Sequence, residues 1–98
     1  MKLMPNCREE YKRRHDRIWP EMVALLKGRG VSDYTIFLDE ESDTLFAVQR
    51  QSEDGPSSQE MGSHPVMQRW WKYMADIMET NSDFSPVSKP LKRVFHLD

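Results

Sequence analysis

The chain has 98 residues, 38% of them hydrophobic and 10% aromatic, and a formal net charge of -2 at pH 7. These values predict one globular domain over residues 1–98 with a compact core. Acidic and basic residues are interleaved, so the sequence lacks the concentrated positive charge of proteins that bind nucleic acid or anionic membranes, and neither partner is expected. The basic residues between Lys12 and Arg17 are interpreted as a solvent-facing helix surface.

The sequence also limits the cofactors and the cellular compartment. Cys7 is the only cysteine, which excludes an internal disulfide and a multi-cysteine metal or iron–sulfur site. GxGxxG, P-loop and HExxH motifs are absent and the three histidines are scattered, so we expect neither a cofactor nor a metal. The N-terminal residues contain no apolar signal-peptide core, and no apolar stretch is long enough to span a membrane. We therefore expect a cytoplasmic protein.

The first helical segment is predicted to begin at Asn6, an N-cap whose partner in a capping box is Glu9. Pro20 predicts either a kink near Trp19 or a second helix that begins at Pro20 and ends at the following glycines. Residues at spacings of three and four form one core-facing stripe: Tyr11, His15, Ile18, Met22, Leu25 and Leu26. A titratable pair on such a stripe must find hydrogen-bond partners or line a cavity.

Two strands are predicted after this segment. VSDYTIFLD (31–39) alternates so that Tyr34 shares one face with two aliphatic residues, and LFAVQR (45–50) follows a polar turn, which indicates a β-hairpin. Both strands are apolar on both faces, so the face that the helices leave open needs a cover. An identical subunit is the simplest cover, and we expect a homodimer. The polar stretch 51–62 is predicted to be a mobile connection.

His64 and Pro65 are predicted to open a second long helix that continues to Glu79. Its apolar stripe is Val66, Trp70, Met74 and Ile77, with Trp71 beside it. LKRVFHL (91–97) is interpreted as a closing strand. The resulting order is strand, helix, strand, strand, helix, strand, which predicts an α+β, ferredoxin-like βαββαβ fold.

With no cofactor or metal motif, proton transfer by His15 and by tyrosine phenols is the catalytic chemistry that this sequence offers. An imidazole with a pKa near 6.5 can give or take a proton at neutral pH, although a histidine on an apolar stripe can also be a core residue that bonds a backbone carbonyl. A tryptophan on an apolar helix stripe is usually core, but Trp70 and Trp71 diverge by about 100°, so both rarely serve one core, and one could form a cavity wall while the other stacks on the apolar face of a sugar. Cys7, His64 and His96 receive no role.

Five segments in chain order resemble the L-rhamnose mutarotase family: EEYKRRHDRIWPE (9–21), DYTIFLD (33–39), QRWWKYMADIM (68–78), SPVS (85–88) and VFHL (94–97). The resemblance covers nearly the whole chain. It implies a ferredoxin-like dimeric α/β barrel and a cofactor-free isomerase that interconverts the α and β anomers of L-rhamnose. It also implies that His15 is the proton donor and that the sugar-contacting residues are Tyr11, Tyr34, Trp70 and Trp71.

Mutarotation needs one group that removes the proton from the anomeric hydroxyl and one that protonates the ring oxygen. We assign the acid role toward the ring oxygen to His15, whereas the sequence does not identify the base. Two other functions are compatible with the predicted fold. One is a cofactorless, monooxygenase-like enzyme for flat aromatic substrates, and the other is a dimer that binds a sugar without catalysis.

Overall fold

The computed structural model describes residues 1–52 and 64–98, and its regular elements follow one another from residue 8 to residue 74. They are α1 (Arg8–Asp16), α2 (Pro20–Gly28), β1 (Val31–Asp39), β2 (Thr44–Gln51) and α3 (Pro65–Met74). The predicted bounds of β1 and the predicted start of α3 are confirmed. The connection predicted at 51–62 starts inside β2, and its residues 53–62 lie outside the described residues.

The first helical segment is divided at Pro20. α2 begins at Pro20, as one of the two predictions had it, because a proline at the first helical position loses no intrahelical hydrogen bond. The predicted Asn6 cap is wrong. Cys7 is the N-cap and makes no side-chain capping bond, while Asn6 takes a left-handed conformation, φ 62°, that asparagine tolerates well.

The sheet is antiparallel and is centred on the β1–β2 hairpin. The register runs from Val31 opposite Gln51 to Asp39 opposite Thr44, with an irregularity between residues 32 and 35. Asp33 lies inside this irregularity with φ 49°. From Tyr34 onward the burial of β1 alternates regularly, so Tyr34 and the aliphatic residues of its face turn toward the helices.

Two short segments extend the sheet beyond β2. The amide of Leu3 donates to the carbonyl oxygen of Asp43 at 2.9 Å, and the amide of Met4 donates to the carbonyl oxygen of Ile77 at 2.9 Å. Antiparallel bridges join Lys2 to Thr44 and Leu3 to Met78. The order across the sheet is therefore 77–80, 1–4, β2, β1, which is the strand arrangement of the predicted α+β, ferredoxin-like fold.

The last strand position of the fold differs from the prediction. α3 ends at Met74 instead of Glu79, and the chain then turns so that residues 77–80 run along the first segment. Residues 77–80 therefore occupy this edge of the sheet, and residues 91–97 form no strand within the described part of the chain. Their apolar side chains are exposed, from 70% for Leu91 to 89% for Val94. The prediction of a closing strand there is wrong.

The helices cover one face of the sheet. Buried side chains between the two layers form one cluster: Leu3, Tyr11, Met22, Val31, Leu45, Met67, Trp70, Trp71, Met74, Ile77 and Met78. The opposite sheet face leaves Phe37, Phe46 and Val48 between 42% and 59% exposed. None of the helices described for residues 1–52 and 64–98 is long and apolar enough to cross a membrane.

Candidate active site

A cavity of about 700 Å³ lies between the helices and the inner face of the sheet, within the size range of small-ligand pockets. All five residues that the resemblance implicates line it: Tyr11, His15, Tyr34, Trp70 and Trp71. They come from α1, β1 and α3, so the fold brings together side chains that are up to 60 positions apart in the sequence. The cavity is therefore the candidate active site.

Tyr11 and His15 are held as a pair by α1. They are four residues apart, so their side chains lie on the same helix face, and their rings stack with 4.2 Å between centroids. His15 Nδ1 lies 3.1 Å from the carbonyl oxygen of Tyr11. A carbonyl oxygen only accepts hydrogen bonds, so Nδ1 carries the proton. In the neutral imidazole the other nitrogen, Nε2, is then the proton acceptor.

Burial keeps both members of this pair uncharged near neutral pH. It lowers the pKa of His15 below the ordinary value of 6.5, although the carbonyl of Tyr11 and the carboxylate of Asp16 act in the opposite direction. Burial raises the pKa of Tyr11 far above its ordinary range, and the nearby phenol of Tyr34 adds to this effect. The pair therefore presents one imidazole proton acceptor and one phenol that keeps its proton.

Trp70 of α3 packs against the imidazole, and Trp19 of the α1–α2 junction packs against Trp70. Trp70 meets His15 edge-on at 5.4 Å between ring centroids. Trp19 meets Trp70 in the same way at 5.1 Å, on the side of Trp70 that faces Tyr73. Trp71, 5% exposed, lines the cavity from the next position of α3. Trp19 was not among the predicted site residues, and it supports Trp70 from behind without lining the cavity.

The rest of the cavity wall divides into an apolar interior and a charged surround. Four methionines from the helices and the 77–80 segment contribute apolar surface: Met22, Met67, Met74 and Met78. Methionine adapts to irregular shapes, which suits a wall around a compact ligand. Charged residues also line the cavity: Arg8, Glu9, Lys12, Asp16 and Glu40. The site can therefore contact hydroxyl groups and apolar carbon atoms of one ligand.

Arg14 does not belong to the solvent-facing surface predicted for its part of α1. Its side chain is only 11% exposed. The guanidinium donates to the carbonyl oxygen of Tyr73 at 2.7 Å and to both carboxylate oxygens of Asp76 at 2.8 and 3.2 Å. It also lies over the ring of Tyr73, 4.6 Å from the centroid. Its position three residues after Tyr11, beside the stripe, was the signal for this burial.

The residues to which the sequence assigned no role do not line the cavity. His64 caps α3 by accepting a hydrogen bond from the amide of Val66 at 3.2 Å. Cys7 is a free thiol, and His96 pairs with Asp98 near the C-terminus. Across residues 1–52 and 64–98, no group of three or more histidine, cysteine, aspartate or glutamate side chains is placed to hold a metal ion.

The fold and the cavity define a small ferredoxin-like protein with a partly apolar cavity, of a size that suits a compact ligand, beside an imidazole. Residues 1–97 match the L-rhamnose mutarotase family. L-rhamnose mutarotases from Leptothrix cholodnii and Bacteroides thetaiotaomicron are 60% and 53% identical to this chain, each over 100% of it and over 92% and 93% of the relative. The crystal structure of L-rhamnose mutarotase from Formosa agariphila superposes with a TM-score of 0.91 at 48% identity, covering 100% of this chain and 93% of that one. The chain belongs to the L-rhamnose mutarotase family.

Proposed function

We propose that this chain is an isomerase that interconverts the α and β anomers of L-rhamnose in the cavity lined by His15. The observation that carries the proposal is the fixed orientation of His15, whose Nδ1 faces the Tyr11 carbonyl at 3.1 Å inside an aromatic pocket. The names of the family and of the close relatives identify the sugar. Together they support the assignment of His15 as the proton-transfer group for a substrate whose reaction is proton transfer.

In the proposed mechanism, neutral His15 begins as a base. Nε2 accepts the proton of the anomeric hydroxyl while the bond between C1 and the ring oxygen breaks, and the imidazolium gives that proton to the ring oxygen. Rotation about C1–C2 turns the other aldehyde face toward the C5 hydroxyl, and reclosure reverses the two transfers. Both sugar oxygens are bonded to C1, so one imidazole can reach both. This assignment keeps His15 as the acid and supplies the base that the sequence left unidentified.

The same cavity provides the proposed sugar contacts. The phenols of Tyr11 and Tyr34 can donate hydrogen bonds to hydroxyl groups of the sugar, because a raised pKa leaves the Tyr11 phenol protonated. Trp70 and Trp71 present the apolar surface on which the C–H face of a pyranose packs. Proton transfer by one positioned group contributes about 10²- to 10⁴-fold to a rate, and this reaction needs no redox or group-transfer step. We therefore propose that no cofactor takes part.

NMR saturation transfer between the two anomeric protons of L-rhamnose, with and without the protein, tests the proposal directly. We expect the protein to accelerate exchange and a folded His15→Ala protein to lose most of the acceleration. Binding of L-rhamnose without faster anomer exchange would favour the alternative of a dimer that binds the sugar without catalysis. Binding of flat aromatic compounds, without binding of L-rhamnose, would favour the monooxygenase-like alternative.

We also propose that the protein works as a homodimer. The apolar outer face of the β1–β2 hairpin is uncovered in one chain, with Phe37 57% and Val48 59% exposed. Monomeric proteins rarely leave such a patch open to water. A two-fold related copy would cover it, and the exposed apolar side chains at 91–97 add surface that a second chain can bury.

Two further expectations remain proposals. We propose that residues 1–98 are one domain, for which a single cooperative unfolding transition is the test. We propose a cytoplasmic location, where the free thiol of Cys7 stays reduced, and cell fractionation tests it.

A further inference from the structure

Phe84 has a backbone conformation that does not suit its side chain. Among the described residues, 1–52 and 64–98, the other non-glycine residues with positive φ are asparagine or aspartate: Asn6, Asp33 and Asp43. Phe84 has φ 69°. In this region the Cβ atom crowds the backbone, and only glycine, asparagine and aspartate visit it readily. Phenylalanine at this position therefore lowers the stability of the fold.

The turn around Phe84 imposes this conformation. The amide of Asn81 donates to the carbonyl oxygen of Ser85 at 2.8 Å, and the amide of Phe84 donates back to the carbonyl oxygen of Asn81 at 3.0 Å. Asp83 accepts a hydrogen bond from the amide of Ser85 at 2.9 Å. These bonds use backbone groups and the Asp83 carboxylate. The turn therefore requires nothing from the ring of Phe84.

Core packing does not compensate for the unfavourable conformation. Phe84 is 39% exposed and does not belong to the buried cluster between the helices and the sheet. The residue does line the cavity, as does Pro86 on the other side of Ser85. Strained residues that the fold itself does not need concentrate at ligand sites. The apolar surface of Phe84 is thus available to a molecule in the cavity.

We propose that Phe84 is a specificity-determining residue whose ring packs against the C6 methyl group and adjoining carbon atoms of the bound deoxyhexose. This inference rests on the proposed function. A hexose with a hydroxymethyl group in place of the methyl group must desolvate a hydroxyl against the ring, so Phe84 favours the 6-deoxy sugar.

Phe84→Asn tests both halves of the argument, because asparagine accepts the left-handed conformation and lacks the ring. We expect the melting temperature to rise by about 4 °C as the backbone strain is relieved. We expect the Kd for L-rhamnose to rise about three- to tenfold, with a smaller change for L-mannose, which carries the hydroxymethyl group. Titration of the tryptophan fluorescence measures both constants.

Two variants serve as controls. Phe84→Tyr keeps the ring and the strain, so its affinity and melting temperature should match the wild type. Val87→Asn removes an exposed apolar side chain from the same segment, outside the cavity lining, and should leave the Kd unchanged.

Unchanged L-rhamnose affinity in Phe84→Asn would overturn the proposal, and an equal loss for both sugars would overturn the assignment to the methyl group. A less stable or unfolded Phe84→Asn protein would overturn the claim of strain. The Kd values do not depend on catalysis. A wild-type protein that binds L-rhamnose without exchanging its anomers would therefore defeat the proposed function and still decide the role of Phe84.

Discussion

His15 Nδ1 and the carbonyl oxygen of Tyr11 are 3.1 Å apart, one helical turn of α1 from each other. In the middle of an α-helix the Tyr11 carbonyl oxygen accepts the hydrogen bond of the residue 15 amide, so accepting a bond from the imidazole Nδ1 as well makes it a shared acceptor. The bond sets the tautomer and the ring orientation together. The proposed role of His15 as a proton shuttle through Nε2 depends on this contact.

Replacing His15 with alanine should lower the exchange rate at saturating L-rhamnose by about 10²-fold or more, with little change in half-saturation. The reason is that an imidazole acts on the proton in the transition state and contributes less to ground-state binding. NMR saturation transfer supplies the rate, and circular dichroism checks the fold.

Trp70→Phe provides the contrast to His15→Ala, because an indole supplies contact area and cannot exchange a proton. It should mainly raise the half-saturation, by about threefold to tenfold. Phenylalanine is preferable to alanine here, because Trp70 is 6% exposed and its truncation would cost about 3–5 kcal/mol of stability. A folded His15→Ala protein with a nearly normal rate would move proton transfer elsewhere, with Tyr11 the next residue to test.

The exchange rate should fall as the pH is lowered through the pKa of His15, because the protonated imidazole can no longer accept the anomeric proton. Burial places this pKa below 6.5, so the half-maximal rate should also lie below that pH. The free energy of unfolding should depend on pH in the same direction. Neutral His15 is favoured in the folded state, so its contribution is present above 6.5 and is lost as the pH falls through the lowered pKa.

A pH series of saturation-transfer rates, corrected for buffer-catalysed exchange, measures this dependence. His15→Ala should retain no inflection in this range. A wild-type rate that rises on acidification would show that His15 must start in the protonated form.

Elements that depend on local signals were predictable from the sequence. Alternating residues defined β1, proline marked the starts of α2 and α3, and the helical stripe predicted that Tyr11 and His15 point inward, where they line the cavity. The five residues of the predicted site came from the resemblance to the L-rhamnose mutarotase family, and all of them line one cavity.

Features that depend on distant partners were not predictable. Residues 77–80 read as the end of α3, and only their pairing with the first segment through Leu3 and Met78 makes them the edge of the sheet. Arg14 has the composition of a surface residue, and its burial follows from Asp76 and Tyr73, which are about 60 positions away. The left-handed conformation of Phe84 follows from the hydrogen bonds of its turn.

Val48→Asp should convert the proposed dimer into monomers. Val48 is 59% exposed on the outer sheet face, and a carboxylate buried there against a second apolar surface would lack a partner. Sedimentation at micromolar concentration should give twice the chain mass of 11.6 kDa for the wild type and 11.6 kDa for the variant. Ala24→Asp, at an exposed position of α2, should remain dimeric. A monomeric wild type would contradict the dimer.

Chelation should leave the rate of anomer exchange unchanged, because the proposed mechanism moves only a proton between His15 and two oxygens of one sugar. EDTA followed by dialysis, with saturation transfer measured before and after, provides the test. Loss of the rate and its return with added zinc would contradict a cofactor-free reaction.

Arg14→Met should reduce both stability and catalysis, because Arg14 ties α1 to the end of α3. Its guanidinium bonds the Tyr73 carbonyl and Asp76, and its neighbour on α1 is His15. Losing charge-assisted hydrogen bonds of this kind should cost about 2 kcal/mol in the free energy of unfolding. A small displacement of α1 from Trp70 should lower the exchange rate by about tenfold, since proton transfer is sensitive to position.

Arg13→Met is the matched control, because Arg13 lies next to Arg14 and bonds the neighbouring Glu10 across one turn of the same helix, with a side chain that is 53% exposed. Exposed pairs of this type contribute about 0–1 kcal/mol, so stability and rate should stay near the wild-type values. Arg14→Lys keeps the charge but loses the planar, two-pronged donor, so its unfolding free energy and exchange rate should lie between those of the wild type and Arg14→Met. Urea denaturation gives the unfolding free energies. Equal effects of Arg13→Met and Arg14→Met would show that the charge of α1 matters, and that its bonds to α3 do not.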